Sequence, residues 1–175
     1  MKNQRANEEN HLKRVRRFAA SLPKFPDGRI DYTTSDVAPV VNCMVYHDEQ
    51  VLLLRRSNRV GADQGKWSGV DGYIDTLDPL RSTVLKELKE ELDLPEEGVA
   101  DIQIARPYRS ADSKARKTWI VYPVLVELTK APNITLDWEH TRYEWVRPDQ
   151  IGRFDLLPGQ ERVLKKALAL RGAPC

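Results

Sequence analysis

The chain has 175 residues, of which 41% are hydrophobic and 31% charged, and its formal net charge is +2. These proportions are typical of a globular protein with a buried core, and the length suits one domain with an appended segment. So small a net charge gives no bulk attraction to nucleic acid, and the longest apolar runs, such as Val51 to Leu54, are too short to span a membrane.

The two cysteines and the N-terminal residues indicate the cellular compartment in which the protein resides. Cys43 lies in a predicted strand and Cys175 at the C-terminus, a pattern that fits a reducing environment better than a disulfide framework. The polar N-terminus has no apolar signal-peptide core. We therefore expect a cytoplasmic protein.

The N-terminal segment is predicted to contain a helix from Asn7 to Leu22, because its apolar residues recur at helical spacing. The opposite face of this helix is basic, with Lys13, Arg14, Arg16 and Arg17. The helix can pack on the domain or on a second subunit, giving a homodimer, or it can serve as a phosphate-binding arm, although basic solvated faces are common. A turn-rich linker follows, so we predict an arm over residues 1–30 and a main domain over residues 31–175.

The main domain begins with two predicted strands, Val37 to Tyr46 and Val51 to Arg55, joined as a hairpin. A polar loop and a short extended segment lead to a central helix. The later elements are strands at Ile102 to Tyr108, Thr118 to Leu128 and Glu144 to Val146, a basic loop at Arg109 to Lys117, a short strand or extended loop at Ile134 to Trp138, and a helix at Gln160 to Leu170. This order predicts mixed α/β layers.

The central helix carries three carboxylates close together. Asp78 is placed to be its N-cap, with Pro79 at the first helical position and an end near Leu92 or Asp93. At about 100° per residue, Glu87, Glu90 and Glu91 share one arc of about 100° beside the apolar face. Like charges at this spacing repel, and Mg²⁺ or Mn²⁺ would turn the repulsion into attraction. On the helix alone, a solvated surface face is the alternative.

The segment from Gly72 to Leu94 resembles the Nudix box, G-x5-E-x7-R-E-U-x-E-E-x-G-U, where U is a bulky apolar residue. Every interval of the motif is kept. Three positions depart from it, with Asp78 at the first acidic place, Lys86 at the arginine and Asp93 at the late glycine. Asp93 is expected in the left-handed conformation of a helix C-cap. VLLLRRS, GKWSGVDGYID and the segment Trp138 to Val146 also look like parts of this family, so the resemblance covers about Val37 to Ile151.

The resemblance implies an α/β fold, an α/β/α sandwich with a mixed sheet, here with an N-terminal helical arm. It also implies a metal-dependent hydrolase that uses Mg²⁺ or Mn²⁺ to cleave the diphosphate bond of a nucleoside diphosphate linked to another moiety. ADP-ribose, dinucleotides, nucleoside triphosphates and sugar nucleotides all remain open as substrates. The expected partner is this small molecule, with neither nucleic acid nor membrane involved.

The resemblance also assigns roles to individual residues. The metal site would comprise Gly72, Glu87, Glu90 and Glu91, and Glu139 of the late loop would join the three helix glutamates in catalysis as a ligand or general base. Asp78 would bind metal through water or only cap the helix. Substrate contacts are expected from Arg55, Lys86, Arg109 and Tyr73, with Lys86 also orienting Glu87 or its neighbour. Further candidates are Trp67, Trp119, Arg106 and residues 114–117. His47 and His140 are expected at the surface, and Cys43 in the core.

Two other functions are compatible with the fold. An enzyme like isopentenyl-diphosphate isomerase would use a cysteine, and Asn42-Cys43 in an early strand supplies one. A non-catalytic nucleotide-binding Nudix module is the other alternative. The complete Glu87, Glu90 and Glu91 set favours the hydrolase over both.

Overall fold

An eight-stranded mixed β-sheet organises residues 13–171, the part of the chain that the computed structural model describes. The strands are β1 (Val37–His47), β2 (Gln50–Arg56), β3 (Trp67–Ser68), β4 (Val70–Tyr73), β5 (Val99–Ile104), β6 (Tyr108–Asp112), β7 (Lys117–Leu128) and β8 (His140–Val146). The helices are α1 (residues 13–19), α2 (Leu80–Leu92) and α3 (Gln160–Leu168), with 3-10 turns at Glu96–Gly98 and Pro148–Arg153.

The sheet runs in the order β3-β2-β1-β7-β5, with β4 also on β1, β6 on β7 and β8 on β2. Strands β1 and β7 are parallel, and the other pairs are antiparallel. β1 pairs with β2 only at Tyr46 and His47, whereas Val40 to Cys43 pair with β4. The sheet therefore divides along β1, and β4 is connected to α2 by the loop of residues 74–79.

Helices cover both faces of the sheet, which confirms the predicted α/β/α sandwich. On one face, Val41, Cys43 and Val45 of β1 pack with the apolar side of α2. On the other face, Met44 and Tyr46 pack with α3. Helix α1 adds a smaller core that includes Val15, Ala19 and Ala38. The two large cores follow from the alternation of side chains along a buried strand.

Several predicted boundaries were wrong. The predicted strand Ile102 to Tyr108 is two strands, β5 and β6, separated by the irregular residues 105–107, and β6 continues into the predicted basic loop. β8 begins at His140 instead of Glu144. Ile134 to Trp138 is a loop, which was one of the two predicted alternatives for that segment. These polar strands escaped prediction because hydrogen bonds to β7 and β2 define them, with little apolar alternation to mark them.

The helix ends also differ from expectation. Pro79, not Asp78, is the N-cap residue of α2, and no side chain caps this helix. Asp93 adopts the left-handed conformation with φ 53°, as predicted. α1 ends at residue 19 and α3 at Leu168, while residues 7–12 of the predicted first helix, and Cys175, lie outside the described range. In residues 13–171, no helix has the length and apolar character needed to cross a membrane.

Candidate active site

Helix α2 buries two of its three glutamates. Glu87 and Glu91 are 9% and 4% exposed, whereas the side chain of Glu90 is 56% exposed. Residues 87 and 91 are one turn apart on the border of the apolar face, so packing of that face against β1 draws both carboxylates inward. The single carboxylate arc therefore divides into a buried pair and one outer residue.

Gly72 provides the space in which Glu87 lies. A Cβ atom at residue 72 would be 2.2 Å from Cδ of Glu87 and 2.5 Å from its Oε1. These distances are far below van der Waals contact, so only glycine allows the Glu87 carboxyl to lie against the β4 backbone. The structure thereby places the first predicted metal-site residue in direct contact with the second.

The loop before β8 brings further carboxylates to the end of α2. The backbone N–H of Asp137 donates to the carbonyl of Glu91 at 3.3 Å, and that of Ser57 donates to the carbonyl of Glu139 at 2.7 Å. The Glu139 N–H in turn donates to Asp137 Oδ1 at 2.9 Å. The predicted residue Glu139 is thus fixed between α2 and the loop that follows β2.

Two residues near this point were not predicted for the site. Asp71 precedes Gly72 and buries its Oδ2 atom, 3.8 Å from Nη1 of Arg56. His140 is 6% exposed, with Nδ1 3.6 Å from Glu91 Oε2 and 3.5 Å from Asp137 Oδ1. The expectation that His140 lies at the surface was wrong, because β8 begins at this residue. The position of Asp71 directly before the box glycine was an available signal for this acid. His140 had no comparable signal.

We call Asp71, Glu87, Glu91, Asp137 and Glu139 the carboxylate cluster. Among residues 13–171, Asp71 Oδ2, Glu91 Oε2 and both ring nitrogens of His140 are buried without a hydrogen-bond partner. Leaving such groups unsatisfied costs about 1–3 kcal/mol each, and more when they are charged. The cluster is therefore a costly arrangement for the fold alone.

Burial is the largest cause of the shifted pKa values in the carboxylate cluster. It raises the pKa of Glu87 to about 7, although Lys86 opposes the change. Burial, followed by repulsion from Asp71 and Glu87, raises the pKa of Glu91 well above its usual value. The pKa values of Asp71 and Glu139 are raised by burial as well, and burial lowers the pKa of His140. Near neutral pH the cluster thus retains protons that a cation could replace.

The donor chemistry of the cluster fits a hard divalent ion. Carboxylate oxygens are the ligands that Mg²⁺ and Mn²⁺ prefer, and unsatisfied buried oxygens are available. Within residues 13–171, no three acidic, histidine or cysteine side chains converge closely enough to hold an ion. The match between the carboxylate cluster and a divalent ion is therefore argued from the charge and burial of the carboxyl groups and from their oxygen atoms without hydrogen-bond partners.

Of the predicted substrate residues, Lys86 contacts the helix glutamates and Arg55 does not face the carboxylate cluster. Lys86 Nζ donates to Glu87 Oε1 at 3.2 Å and to Glu90 Oε2 at 2.8 Å. Arg55 is exposed and donates to the carbonyl of Gly65, while its neighbour Arg56 is the arginine that faces the cluster. A bulge between these two residues shifts the register with β8.

The remaining candidates lie further along the sheet. Tyr73 is partly exposed, and its ring stacks on Tyr32 and lies against Trp119, with centroids 5.9 Å away in both cases. Arg109 is exposed on β6. Asp78 is also exposed, and a different acid of this loop, Asp75, is buried.

A comparison with protein-family models shows to which family the chain belongs. The model described as "NUDIX domain" matches residues 36–167. The chain belongs to the Nudix family. The predicted family and enzyme class, the Nudix pyrophosphohydrolases, are thereby confirmed. A search of curated proteins gives no match.

Solved structures share the Nudix fold at low sequence identity. The MutT protein from Methanosarcina mazei Go1 is 21% identical, with a TM-score of 0.63 over 80% of this chain and 99% of that one. The Ap4A hydrolase of C. elegans, solved as a binary complex, is 18% identical, with a TM-score of 0.61 over 77% and 97%. The NUDIX domain of Shewanella oneidensis NrtR, complexed with ADP ribose, is 18% identical, with a TM-score of 0.62 over 89% and 97%.

Proposed function

We propose that this Nudix protein hydrolyses the diphosphate bond of a nucleoside diphosphate linked to another moiety, with Mg²⁺ or Mn²⁺ as cofactor. The observation that carries the proposal is Glu91, which is buried among other acids with an oxygen that has no hydrogen-bond partner in the described chain. A divalent ion bound there would neutralise phosphate oxygens and lower the pKa of a water molecule.

Residues in and beside the carboxylate cluster have different proposed roles. Glu87 and Glu91, with Glu90 at the outer edge, would hold the metal, and Gly72 leaves room for Glu87. Lys86 holds the carboxyls of Glu87 and Glu90 in place through its two hydrogen bonds.

Glu139 is our candidate for general base. Burial, then the charges of Asp137 and Asp71, raise its pKa towards the range in which a carboxylate accepts a proton efficiently at neutral pH. Its side chain is partly exposed, so water and substrate can reach it. The helix glutamates are the alternative, since the pKa of Glu87 is raised to about 7.

Substrate contacts by Arg55, Arg109 and Tyr73 remain part of the proposal. The solved relatives include a hydrolase of Ap4A and a domain complexed with ADP ribose, which supports a nucleotide-derived ligand with a diphosphate. We further propose a cytoplasmic location, since the buried thiol of Cys43 suits a reducing compartment. The homodimer and the division into residues 1–30 and 31–175 stay predictions.

The isomerase alternative depends on Cys43, whose position disfavours it. Cys43 is fully buried in the core beneath α2, and burial raises the pKa of its thiol well above the usual value. A cysteine that exchanges protons with a substrate needs access to it, so the hydrolase is better supported.

A product analysis tests the hydrolase directly. The purified protein would be incubated with Mg²⁺ and a panel containing ADP-ribose, dinucleoside polyphosphates, nucleoside triphosphates and sugar nucleotides, and the products resolved by chromatography. We expect at least one member to be cleaved at its diphosphate in a metal-dependent reaction. Absence of cleavage across the panel would contradict the proposal. Conversion of isopentenyl to dimethylallyl diphosphate, abolished in Cys43→Ser, would establish the isomerase instead.

A further inference from the structure

Residues that precede the family match hold the loop that leaves Gly72. The match begins at residue 36. Before it, the hydroxyl of Tyr32 donates to the carbonyl of Ile74 at 2.8 Å, and the backbone N–H of Ile30 donates to the carbonyl of Asp75 at 2.7 Å. Ile30, Tyr32 and Ile74 are all buried, so water competes little for these two bonds.

An ion pair reinforces the same contact. Arg29 Nη1 donates to Asp75 Oδ2 at 3.3 Å, while its Nε donates to Asp27 Oδ2 at 2.7 Å. Asp75 is only 8% exposed, and its charge contributes to raising the pKa of Glu87. Arg29 therefore provides a counter-charge for a buried acid that lies close to the candidate metal ligands.

Aromatic contacts complete the attachment. The ring of Tyr32 stacks on Tyr73 at 5.9 Å and on Phe18 of α1 at 6.2 Å. The carbonyl of Tyr32 accepts a hydrogen bond from Lys117 Nζ at 2.8 Å, which fixes the residue to the start of β7. Tyr32 thus joins the arm, the sheet and the loop.

We propose that Arg29, Ile30 and Tyr32 form a tether that positions residues 73–75, the end of β4 and the start of the following loop, and through them the contact between Gly72 and Glu87. Three successive residues are held, Tyr73 at the end of β4 and Ile74 and Asp75 of the loop after it. The next residue back is Gly72, whose backbone lies against the Glu87 carboxyl. A displacement of the loop would move that backbone and, with it, Glu87. These are positioning residues, and the inference rests on the proposed function because it gives the arm a role in the same site.

Single substitutions can distinguish the positioning effect of the tether from a general loss of stability. Tyr32→Phe removes the hydroxyl and keeps the stacked ring, and Arg29→Ala removes the ion pair with Asp75. Arg29→Lys is the conservative variant, because it can restore one charge-assisted contact to Asp75. Asp27→Asn is the matched control, since it weakens the exposed contact of Arg29 and leaves Asp75 in place.

The measurements are amide hydrogen exchange at Ile30 and Ile74, Mn²⁺ binding by calorimetry, and steady-state kinetics. For Tyr32→Phe and Arg29→Ala we expect faster exchange at both amides and roughly fivefold weaker Mn²⁺ binding, as for other residues that support ligands indirectly. We also expect kcat to fall roughly tenfold with little change in KM, because misplaced catalytic groups reduce the rate of the chemical step. Arg29→Lys should recover part of each loss, and Asp27→Asn should match wild type.

Two results would overturn the tether. One is wild-type exchange at Ile74 together with wild-type Mn²⁺ affinity in both variants. The other is an equal effect from Asp27→Asn, which would show a general loosening of the arm. If no substrate is cleaved even by the wild-type protein, the proposed function fails, whereas hydrogen exchange still decides the tether.

Discussion

The two faces of the sheet bury polar groups in opposite ways. Beneath α3, the amides of Asn42 and Gln160 exchange two hydrogen bonds of 3.2 Å, and Gln160 is 1% exposed. Beneath α2, Glu91 has a buried oxygen without a hydrogen-bond partner in the described residues, and so does Asp71 of β4, whose charge acts on Glu91. The first pair satisfies itself, whereas the second is a set of acids that repel one another.

This difference separates a structural polar contact from a functional one. A reciprocal amide pair offsets the cost of its own burial and specifies how α3 meets β1. Buried carboxylates that face one another cost free energy until a proton or a cation neutralises them. The α2 face is therefore the one that gains most stability from a ligand.

The largest effect is expected from Glu91→Gln. The amide keeps the shape of the side chain but loses the charge that would bind the metal, so we expect kcat/KM to fall roughly a thousandfold, since metal stabilisation of the transition state is worth several kcal/mol. Thermal stability should stay the same or rise, because repulsion from Asp71 and Glu87 is relieved. Kinetics and thermal unfolding measure the two effects.

The exposed acid Glu97, changed to glutamine, is the matched control for this experiment. It should keep wild-type activity and stability. A Glu91→Gln protein as active as wild type would remove the metal-binding role of α2.

The next effect concerns the contact between Gly72 and Glu87. In Gly72→Ala the new Cβ would lie 2.2 Å from Cδ of Glu87, so the carboxyl must move. We expect roughly a hundredfold loss of activity from the misplaced group and a loss of about 1–3 kcal/mol in the free energy of unfolding from overpacking. Gly152→Ala, where an added Cβ meets nothing within 4 Å, should change neither quantity. Normal activity in Gly72→Ala would show that the contact is dispensable.

Stability without metal should depend on pH through the α2 face. The pKa of Glu87 is raised from 4.5 to about 7 in the folded protein, so the folded state holds its proton more tightly than the unfolded chain. Its contribution is complete below pH 4.5 and is lost as the pH rises through 7. The raised pKa values of Glu91 and Asp71 act in the same direction. The lowered pKa of His140 acts oppositely, below its usual 6.5, so the net decrease should be steepest above that pH.

Urea unfolding between pH 5 and 8 would measure this dependence. We expect a decrease on the order of 2–3 kcal/mol without metal, and a smaller one with Mg²⁺, which replaces protons on the carboxylates. Glu87→Gln should reduce the slope. A stability that rises from pH 6.5 to 8 in the metal-free protein would contradict the raised carboxyl pKa values.

Patterns local in sequence predicted the parts of this molecule that are local in space. The hairpin of β1 and β2 and the helix α2 follow from hydrophobic periodicity and turn residues, and the box spacing identified the Gly72 and Glu87 pair. The left-handed conformation of Asp93 followed from its place at the end of the helix.

The contacts that complete the site join distant segments, and no local pattern marks them. His140 meets Glu91 only because β8 pairs with β2 and starts there. The bulge at the end of β2 decides that Arg56, and not Arg55, faces Asp71. The tether of Tyr32 to Ile74 joins residues 42 positions apart. Such contacts follow from tertiary packing.

The smallest effect on activity is expected on the α3 face. Gln160→Met leaves the buried Asn42 amide without its partner, and Asn42→Leu leaves Gln160 with only the weak acceptor Sδ of Met44 at 3.0 Å. Each should therefore lower the free energy of unfolding by about 1–3 kcal/mol. The double variant leaves neither amide, and we expect it to lose less than the sum of the two single variants. Neither residue is a metal-ligand candidate, although Asn42 pairs with Asp71 across β1 and β4. We therefore expect kcat/KM to stay within about twofold of wild type in all three proteins. Urea unfolding in a double-mutant cycle, with kinetics on the same samples, measures both. Additive losses, or a collapse of activity in the folded variants, would show that the two faces are not separated as their hydrogen bonding indicates.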